Sequence, residues 1–308
     1  MKILITYPLH ENEQDQFNKL NQDFSYIEHP TLEELQEAEI IFGPISYQKL
    51  VQATNLKWYQ LPYAGVGEFS QLPDHVQLTN SSGVFGDTIA EHALAYTLAL
   101  EKRVFEYKHI QQEREWLPLD PLPMFDELKI LCVGFGDIGQ HYAKKAKALG
   151  ATIDAVKRSL DNKPDYINKF FTLDQLEDQI HQYDVIFVSL PSTSKTKCLF
   201  NQSLLNKINK KAILLNVGRG DLVVMQDLVN LMKNAPIQAV YLDVMDPEPL
   251  PKNHPLWNTK NVYLTPHICW NGSSSKIHEK TVHQFYENLN RYLKNEPLQQ
   301  LVDKKLGY

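Results

Sequence analysis

Residues 130–139 read Ile130-Leu131-Cys132-Val133-Gly134-Phe135-Gly136-Asp137-Ile138-Gly139. Four apolar residues run into a glycine turn, and an Ala- and Lys-rich helical stretch follows over 138–149. In a G-x-G-x-x-G spacing the first glycine, Gly134, makes the tight strand-to-helix turn. The second, Gly136, removes a Cβ from the path of a pyrophosphate, and the third, Gly139, lets the helix pack on the strand. The free amides and the positive dipole end of that helix then face an anion. A lone glycine spacing is weak, because a plain tight turn or a methyltransferase-type loop has the same letters. The strand before it and the helix behind it favour a dinucleotide.

The next strand, 151–156, ends at Lys157-Arg158-Ser159. A fold selective for NAD presents an acid about 20 residues past the glycines, where it bonds the ribose hydroxyls. Two cations and a hydroxyl stand here instead. An acid would repel the 2′-phosphate of NADP, whereas a guanidinium can bind it through two parallel charge-assisted bonds. NADPH is therefore the expected cofactor, with NADH possible; the simpler reading is a solvated basic turn.

Outward from this unit, strand and helix signals alternate in two series, which implies βαβ units and parallel sheets. Strands are predicted at 2–7, 25–28, 40–42, 56–61 and 76–79, then at 130–133, 152–156, 185–190, 212–217, 237–244 and 262–264. Helices are predicted at 12–20, from the capping box Thr31-Leu32-Glu33-Glu34, as one long run over 88–114, and at 138–149, 172–181, 202–208, 221–233 and 275–293. The alanines of the long run suit close packing on another helix. Three prolines within 118–123 mark a connector. The fold class is α/β with two lobes: a Rossmann dinucleotide domain (101–274) inserted into a substrate domain (1–100 and 275–308), with the two long helices bridging them.

The chain of 308 residues carries a formal net charge of -6, which argues against bulk attraction to nucleic acid or anionic membrane. The apolar N-terminal run is too short for a secretory signal, and no stretch is apolar enough to span a bilayer. Cys132, Cys198 and Cys269 show no metal spacing. They fit reduced thiols in a cytoplasmic protein, and no metal site is expected. Cys269 follows His267 by two residues, so a thiol nucleophile is conceivable beside the simpler reading of a buried small side chain.

Three polar residues follow strand ends in the second series: Arg219 in Asn216-Val217-Gly218-Arg219-Gly220, Glu248 in the segment 243–249, and His267 in Thr265-Pro266-His267-Ile268. Open α/β sheets bind ligands outside the carboxyl ends of their strands. Reduction of a 2-oxo acid needs a hydride at C2 and a proton on the nascent alkoxide. Histidine can supply that proton, and a carboxylate beside it favours the imidazolium. Arginine can hold the substrate carboxylate and polarise the ketone. Taken singly, these residues also have structural explanations: a packed histidine for His267 and a plain turn for Arg219.

The segments 134–139, 190–193, 216–220, 242–249 and 265–268, in this order, resemble the D-isomer-specific 2-hydroxyacid dehydrogenases over nearly the whole chain. The resemblance implies a flavodoxin-like substrate domain, a usually homodimeric enzyme, and Arg219, Glu248 and His267 as its catalytic trio. It places cofactor contacts at Gly134, Gly136, Asp137, Ile138, Gly139, Lys157, Arg158, Ser159, Leu190, Pro191, Ser192, Thr196, Val217, Gly218, Arg219, Asp243 and His267, with Asp243 on the nicotinamide carboxamide. It makes Tyr63, Ala64, Gly65 and Val66 a substrate-carboxylate loop acting through backbone amides, joined by Arg219 and His267; Trp270 either walls the pocket or only packs. Gly67 stands where many members carry Asp, and Tyr63 where they carry Ser or Thr, which leaves the pocket size open. The basic turn and the tail 302–308 are similar to the NADPH-dependent glyoxylate/hydroxypyruvate reductases. Two rivals on the same fold are a formate or phosphite dehydrogenase, against which Glu248 speaks because formate-type members carry Gln there, and a dinucleotide-sensing corepressor.

Overall fold

A computed structural model describes residues 1–270 and 274–307. The chain forms two compact units. One takes Met1–Phe85 and the C-terminal segment; the other begins at Gly86 and runs up to that segment.

In the first unit the order is β1 (Lys2–Ile5), α1 (Glu11–Asn18), β2 (Asp23–Tyr26), α2 (Leu32–Glu37), β3 (Ile40–Phe42), α3 (Tyr47–Leu50), β4 (Trp58–Gln60) and β5 (Gln77–Thr79). The five strands are parallel in the order β2-β1-β3-β4-β5, the flavodoxin-like arrangement. Alternation along β1 feeds two cores. Ile3 and Ile5 pack with Phe17, Trp58 and Phe285, the last from the C-terminal helix Ser275–Leu293, while Leu4 packs with Leu35, Tyr59 and Leu78. The Thr31–Glu34 capping box forms in both directions. The tail covers the edge of β5, with the Val302 amide donating to the Leu78 carbonyl at 2.8 Å. Tyr308 lies outside the described residues.

The second unit holds α4 (Gly86–Glu101), α5 (Val104–Gln112), β6 (Lys129–Val133), α6 (Asp137–Ala148), β7 (Thr152–Val156), β8 (Lys169–Phe171), α7 (Leu176–Gln179), β9 (Val185–Val188), α8 (Gln202–Asn206), β10 (Ile213–Asn216), α9 (Met225–Asn234), β11 (Ala239–Leu242) and β12 (Val262–Leu264). Its seven parallel strands run β12-β11-β10-β9-β6-β7-β8. The strand order reverses between β6 and β9, the switch point where a doubly wound sheet opens a crevice. Both faces are buried, as continuous Val/Ile/Leu strands require: Leu131 and Val133 face one core, Ile130 and Cys132 the other.

Three expectations change. The first boundary lies between Phe85 and Gly86 rather than near residue 100. Ala90, Ala93 and Thr97 of α4 pack on Tyr142 and Ala143 of α6, and the Thr97 and Tyr142 hydroxyls are 2.8 Å apart. The long helix is two helices, because Arg103 turns left-handed at φ +51. α4 follows a buried face, whereas α5 buries no residue and gains nothing from continuing the same axis. The helix expected at 172–181 is a single α turn between two 3-10 turns, and the short edge strand β8 before it was not anticipated.

Candidate active site

The glycine loop joins β6 to α6 at the switch point. Gly134 has φ +107, and a Cβ there would lie 2.9 Å from the Ser189 backbone, so this position requires glycine on two counts. A Cβ on Gly139 would lie 2.1 Å from the Gly134 carbonyl oxygen, which explains the close seating of α6 on the turn. Gly136 differs, since nothing lies within 4 Å of where its Cβ would be. Gly136 is also the N-cap of α6 and offers no side chain to the first-turn amides. An open position beside uncapped helix amides fits a pyrophosphate. The Asp137 carboxylate turns away from that space and accepts from the Gly86 amide at 2.9 Å.

At the end of β7, Lys157 extends its Nζ toward the Asp161 carbonyl, 3.4 Å away, and over the Phe170 ring. Ser159 donates to the Asp161 carboxylate at 2.8 Å. Arg158 is exposed. The acid buried on β7, Asp154, is not a ribose ligand: Asn168, the Lys169 amide and Tyr183 satisfy it.

The loops after β9, β10 and β11 are locked together by backbone contact. A Cβ on Gly218 would strike the Leu190 carbonyl at 2.6 Å, and one on Gly220 would strike Met245 at 2.0 Å. Thr196 is buried and holds the β9 loop, donating to the Pro191 carbonyl at 2.6 Å and accepting from the Thr193 amide at 2.8 Å. Ser192 donates to Asp221 at 2.6 Å. The Val217 side chain is core, leaving only its backbone to meet a ligand. Asn216, fully buried, shapes the β10 loop: it accepts from the Gly218 amide at 3.1 Å and donates to the Arg219 carbonyl at 2.9 Å.

Arg219 anchors one guanidinium nitrogen on the Gly218 carbonyl at 2.6 Å. Desolvation by the loop walls pulls its pKa below the ordinary guanidinium value, against the opposing pull of Glu248 and Asp221. It remains a cation at any physiological pH. Glu248 supports His267. One carboxylate oxygen accepts from the Met245 amide at 2.8 Å, and the other lies 2.8 Å from His267 Nδ1. With Nδ1 so engaged, Nε2 is the ring nitrogen left for a substrate oxygen.

His267 sits at φ +55, an uncommon conformation for a histidine. Asp243, 2% exposed, holds the backbone there: one oxygen accepts from Thr265 at 2.6 Å and the Ile268 amide at 2.9 Å, the other from the Cys269 amide at 3.0 Å. The Tyr241 hydroxyl completes the set, 2.6 Å from Thr265 and 3.2 Å from the Cys269 sulfur. Burial pushes the Cys269 thiol up, so it is no nucleophile. Trp270 donates from its indole to the His267 carbonyl at 2.9 Å, and its ring is half-exposed.

In the first unit, the loop after β4 exposes Tyr63 and Ala64 while Val66 is sunk into the core. Asn80 and Ser81 hold it through the Ala64 and Tyr63 carbonyls at 2.8 and 3.1 Å. Among the described residues, nothing accepts from the amides of Ala64, Gly65 and Val66.

Sequence reasoning missed Asn216, Thr265, Tyr241, and the clamping role of Asp243. Only Asn216 carries a local signal, as an Asx residue two before a glycine.

A family model described as D-isomer specific 2-hydroxyacid dehydrogenase, NAD binding domain, matches residues 94–269. Glyoxylate/hydroxypyruvate reductase A of Serratia proteamaculans is 31% identical over 218 residues, 71% of this chain and 68% of that one. Among solved structures, a D-isomer specific 2-hydroxyacid dehydrogenase family protein from Aeromonas salmonicida superposes with a TM-score of 0.86 at 27% identity, covering 98% of this chain and 99% of the other. The NADPH-dependent glyoxylate/hydroxypyruvate reductase of Sinorhizobium meliloti, solved with NADP and sulfate, shares the fold at a TM-score of 0.83 and 23% identity, covering 100% and 99%.

Proposed function

The chain belongs to the D-isomer specific 2-hydroxyacid dehydrogenase family, and we propose that it uses NADPH to reduce a small 2-oxo acid of the glyoxylate or hydroxypyruvate type to the D-2-hydroxy acid. It is an NAD(P)-dependent oxidoreductase of 2-oxo acids. The observation that carries the reading is the His267–Glu248 contact, built on a backbone that Asp243 clamps.

When bound, the nicotinamide supplies the hydride. Arg219 holds the substrate carboxylate and draws electron density from the carbonyl oxygen. In the first unit the amides of Ala64, Gly65 and Val66, without acceptors among the described residues, are suited to a carboxylate. His267 gives its proton from Nε2 to the oxygen that becomes the hydroxyl, and Glu248 compensates the imidazolium charge before transfer. Trp270, fixed by its bond to the His267 carbonyl, presents an apolar ring to a short side chain.

Lys157 and Arg158, with no acid closing β7, support NADPH over NADH. Asp161 is the counterweight in that turn, and the 2′-phosphate would take the Ser159 hydroxyl from it. Exposed apolar residues on α5 and the connector, Val104, Tyr107, Trp116, Leu117 and Met124, support a homodimer that covers them. Free cysteines suit a cytoplasmic enzyme.

The test is kcat/KM for glyoxylate and hydroxypyruvate with each cofactor. NADPH should be favoured by about tenfold or more. An NADH preference would overturn the cofactor assignment. NADPH binding without oxidation by any 2-oxo acid would favour a sensor.

A further inference from the structure

His10, Glu13 and His278 meet in the first unit. One donor atom from each lies within 4.8 Å of the other two. His10 closes the loop that leaves the carboxyl end of β1 and is the N-cap of α1; Glu13 lies in the first turn of α1. His278 comes from the C-terminal helix. Glu13 is nearly buried, and its side chain keeps 11% of its exposure.

The geometry suits more than an ion pair. His278 Nε2 lies 3.1 and 2.9 Å from the two Glu13 oxygens. Two donors bound to one ion at about 2.0–2.2 Å stand roughly 3–3.5 Å apart, so these atoms need almost no movement to share a metal. The orientation is set from outside. The His10 amide donates to Glu13 at 2.8 Å, and the Tyr7 ring stacks on His278 with centroids 5.5 Å apart. The His10 and His278 rings are 4.7 Å apart, which brings the second imidazole to the same point. Outer contacts of this kind hold ligands in place at metal sites. The strand order reverses between β1 and β3, so this loop also opens at the switch point of its sheet.

We propose that His10, Glu13 and His278 form a binding site for a divalent transition-metal ion of imidazole and carboxylate preference, with Zn2+ as the reference ion. Two imidazoles and a carboxylate leave a fourth tetrahedral position for water. The ion ties the start of α1 to the C-terminal helix across 265 residues of chain. It binds the folded unit and not the unfolded chain, so it raises the melting temperature.

The test uses the full chain, stripped with chelator, in a Cys198→Ser background because Cys198 is an exposed thiol that could bind Zn2+ by itself. Zn2+ titration by calorimetry should show one ion per chain and a rise in Tm. Co2+ should give the visible bands of nitrogen and oxygen ligation without thiolate charge transfer. His10→Ala and His278→Ala should each weaken uptake by about tenfold or more and abolish the metal-dependent rise in Tm. His10→Ala leaves the Glu13–His278 pair intact, so its effect separates metal ligation from loss of an ion pair. Absence of saturable uptake, or uptake that both substitutions leave unchanged, overturns the proposal.

Discussion

His267 Nδ1 lies 2.8 Å from one oxygen of Glu248, whose other oxygen accepts from the Met245 amide at 2.8 Å. Both carboxylate oxygens are therefore committed, one to holding the side chain and one to the ring. The proton on Nδ1 is an assignment from this contact, and it leaves Nε2 for chemistry. Glu248→Gln keeps the size and the carbonyl acceptor for Met245 but turns an NH2 toward the imidazole. The kcat should fall about 100-fold with NADPH affinity unchanged, measured by steady-state kinetics and fluorescence titration. Near-normal kcat would show that the carboxylate does not support proton transfer.

Arg219 is tethered at one nitrogen to the Gly218 carbonyl. Lysine there keeps the charge and loses the planar fork. Arg219→Lys should raise KM for the 2-oxo acid and also lower kcat, for a combined loss of about 100-fold in kcat/KM. A change in KM alone would assign Arg219 to ground-state binding only.

Gly136 and Gly139 separate ligand space from packing. Gly136→Ala meets open space, so folding stability should change by less than about 1 kcal/mol. NADPH affinity should fall about tenfold, equivalent to 1.4 kcal/mol. Gly139→Ala meets a backbone oxygen and should destabilise by about 1–3 kcal/mol or more. Thermal melts and cofactor titration of both variants check this; an unchanged NADPH affinity in Gly136→Ala would place the pyrophosphate elsewhere.

Much of this was legible because the signals were local. Gly134 and Gly139 have backbone reasons that their spacing announces, and most strands from Lys129 to Leu264 are short apolar runs between turn residues. Arg219, Glu248 and His267 stand out in the sequence because each follows a strand end. What was not legible depends on tertiary contact. Arg103 breaks a run whose period continues through Val104, because α5 has no core to follow. Asp243 clamps a loop 22 to 26 residues away. His10 and Glu13 meet a histidine from the far end of the chain, a spacing that no local motif can encode.

Glu101, 2% exposed at the end of α4, has its carboxyl pushed up to about 7 by burial, with Asp184 adding to the shift and Lys102 opposing it. Between the ordinary carboxyl range and about 7 the folded chain keeps a proton that the unfolded chain releases. Stability is therefore lost as pH rises through that window and is flat above it. Glu101→Gln removes this loss. Its gain should be small at about pH 5 and reach up to roughly 3 kcal/mol at about pH 8. Chemical denaturation of both proteins at the two pH values checks it, and a gain independent of pH would mean the carboxyl titrates normally.

The most direct measurement compares the wild-type chain with His267→Ala for oxidation of NADPH by glyoxylate and hydroxypyruvate, alongside the NADPH dissociation constant of each. The variant should lose about 100- to 10,000-fold in kcat while binding NADPH within about twofold of wild type. A His267→Ala chain that still turns over within a few-fold of wild type would contradict the assignment of the proton donor.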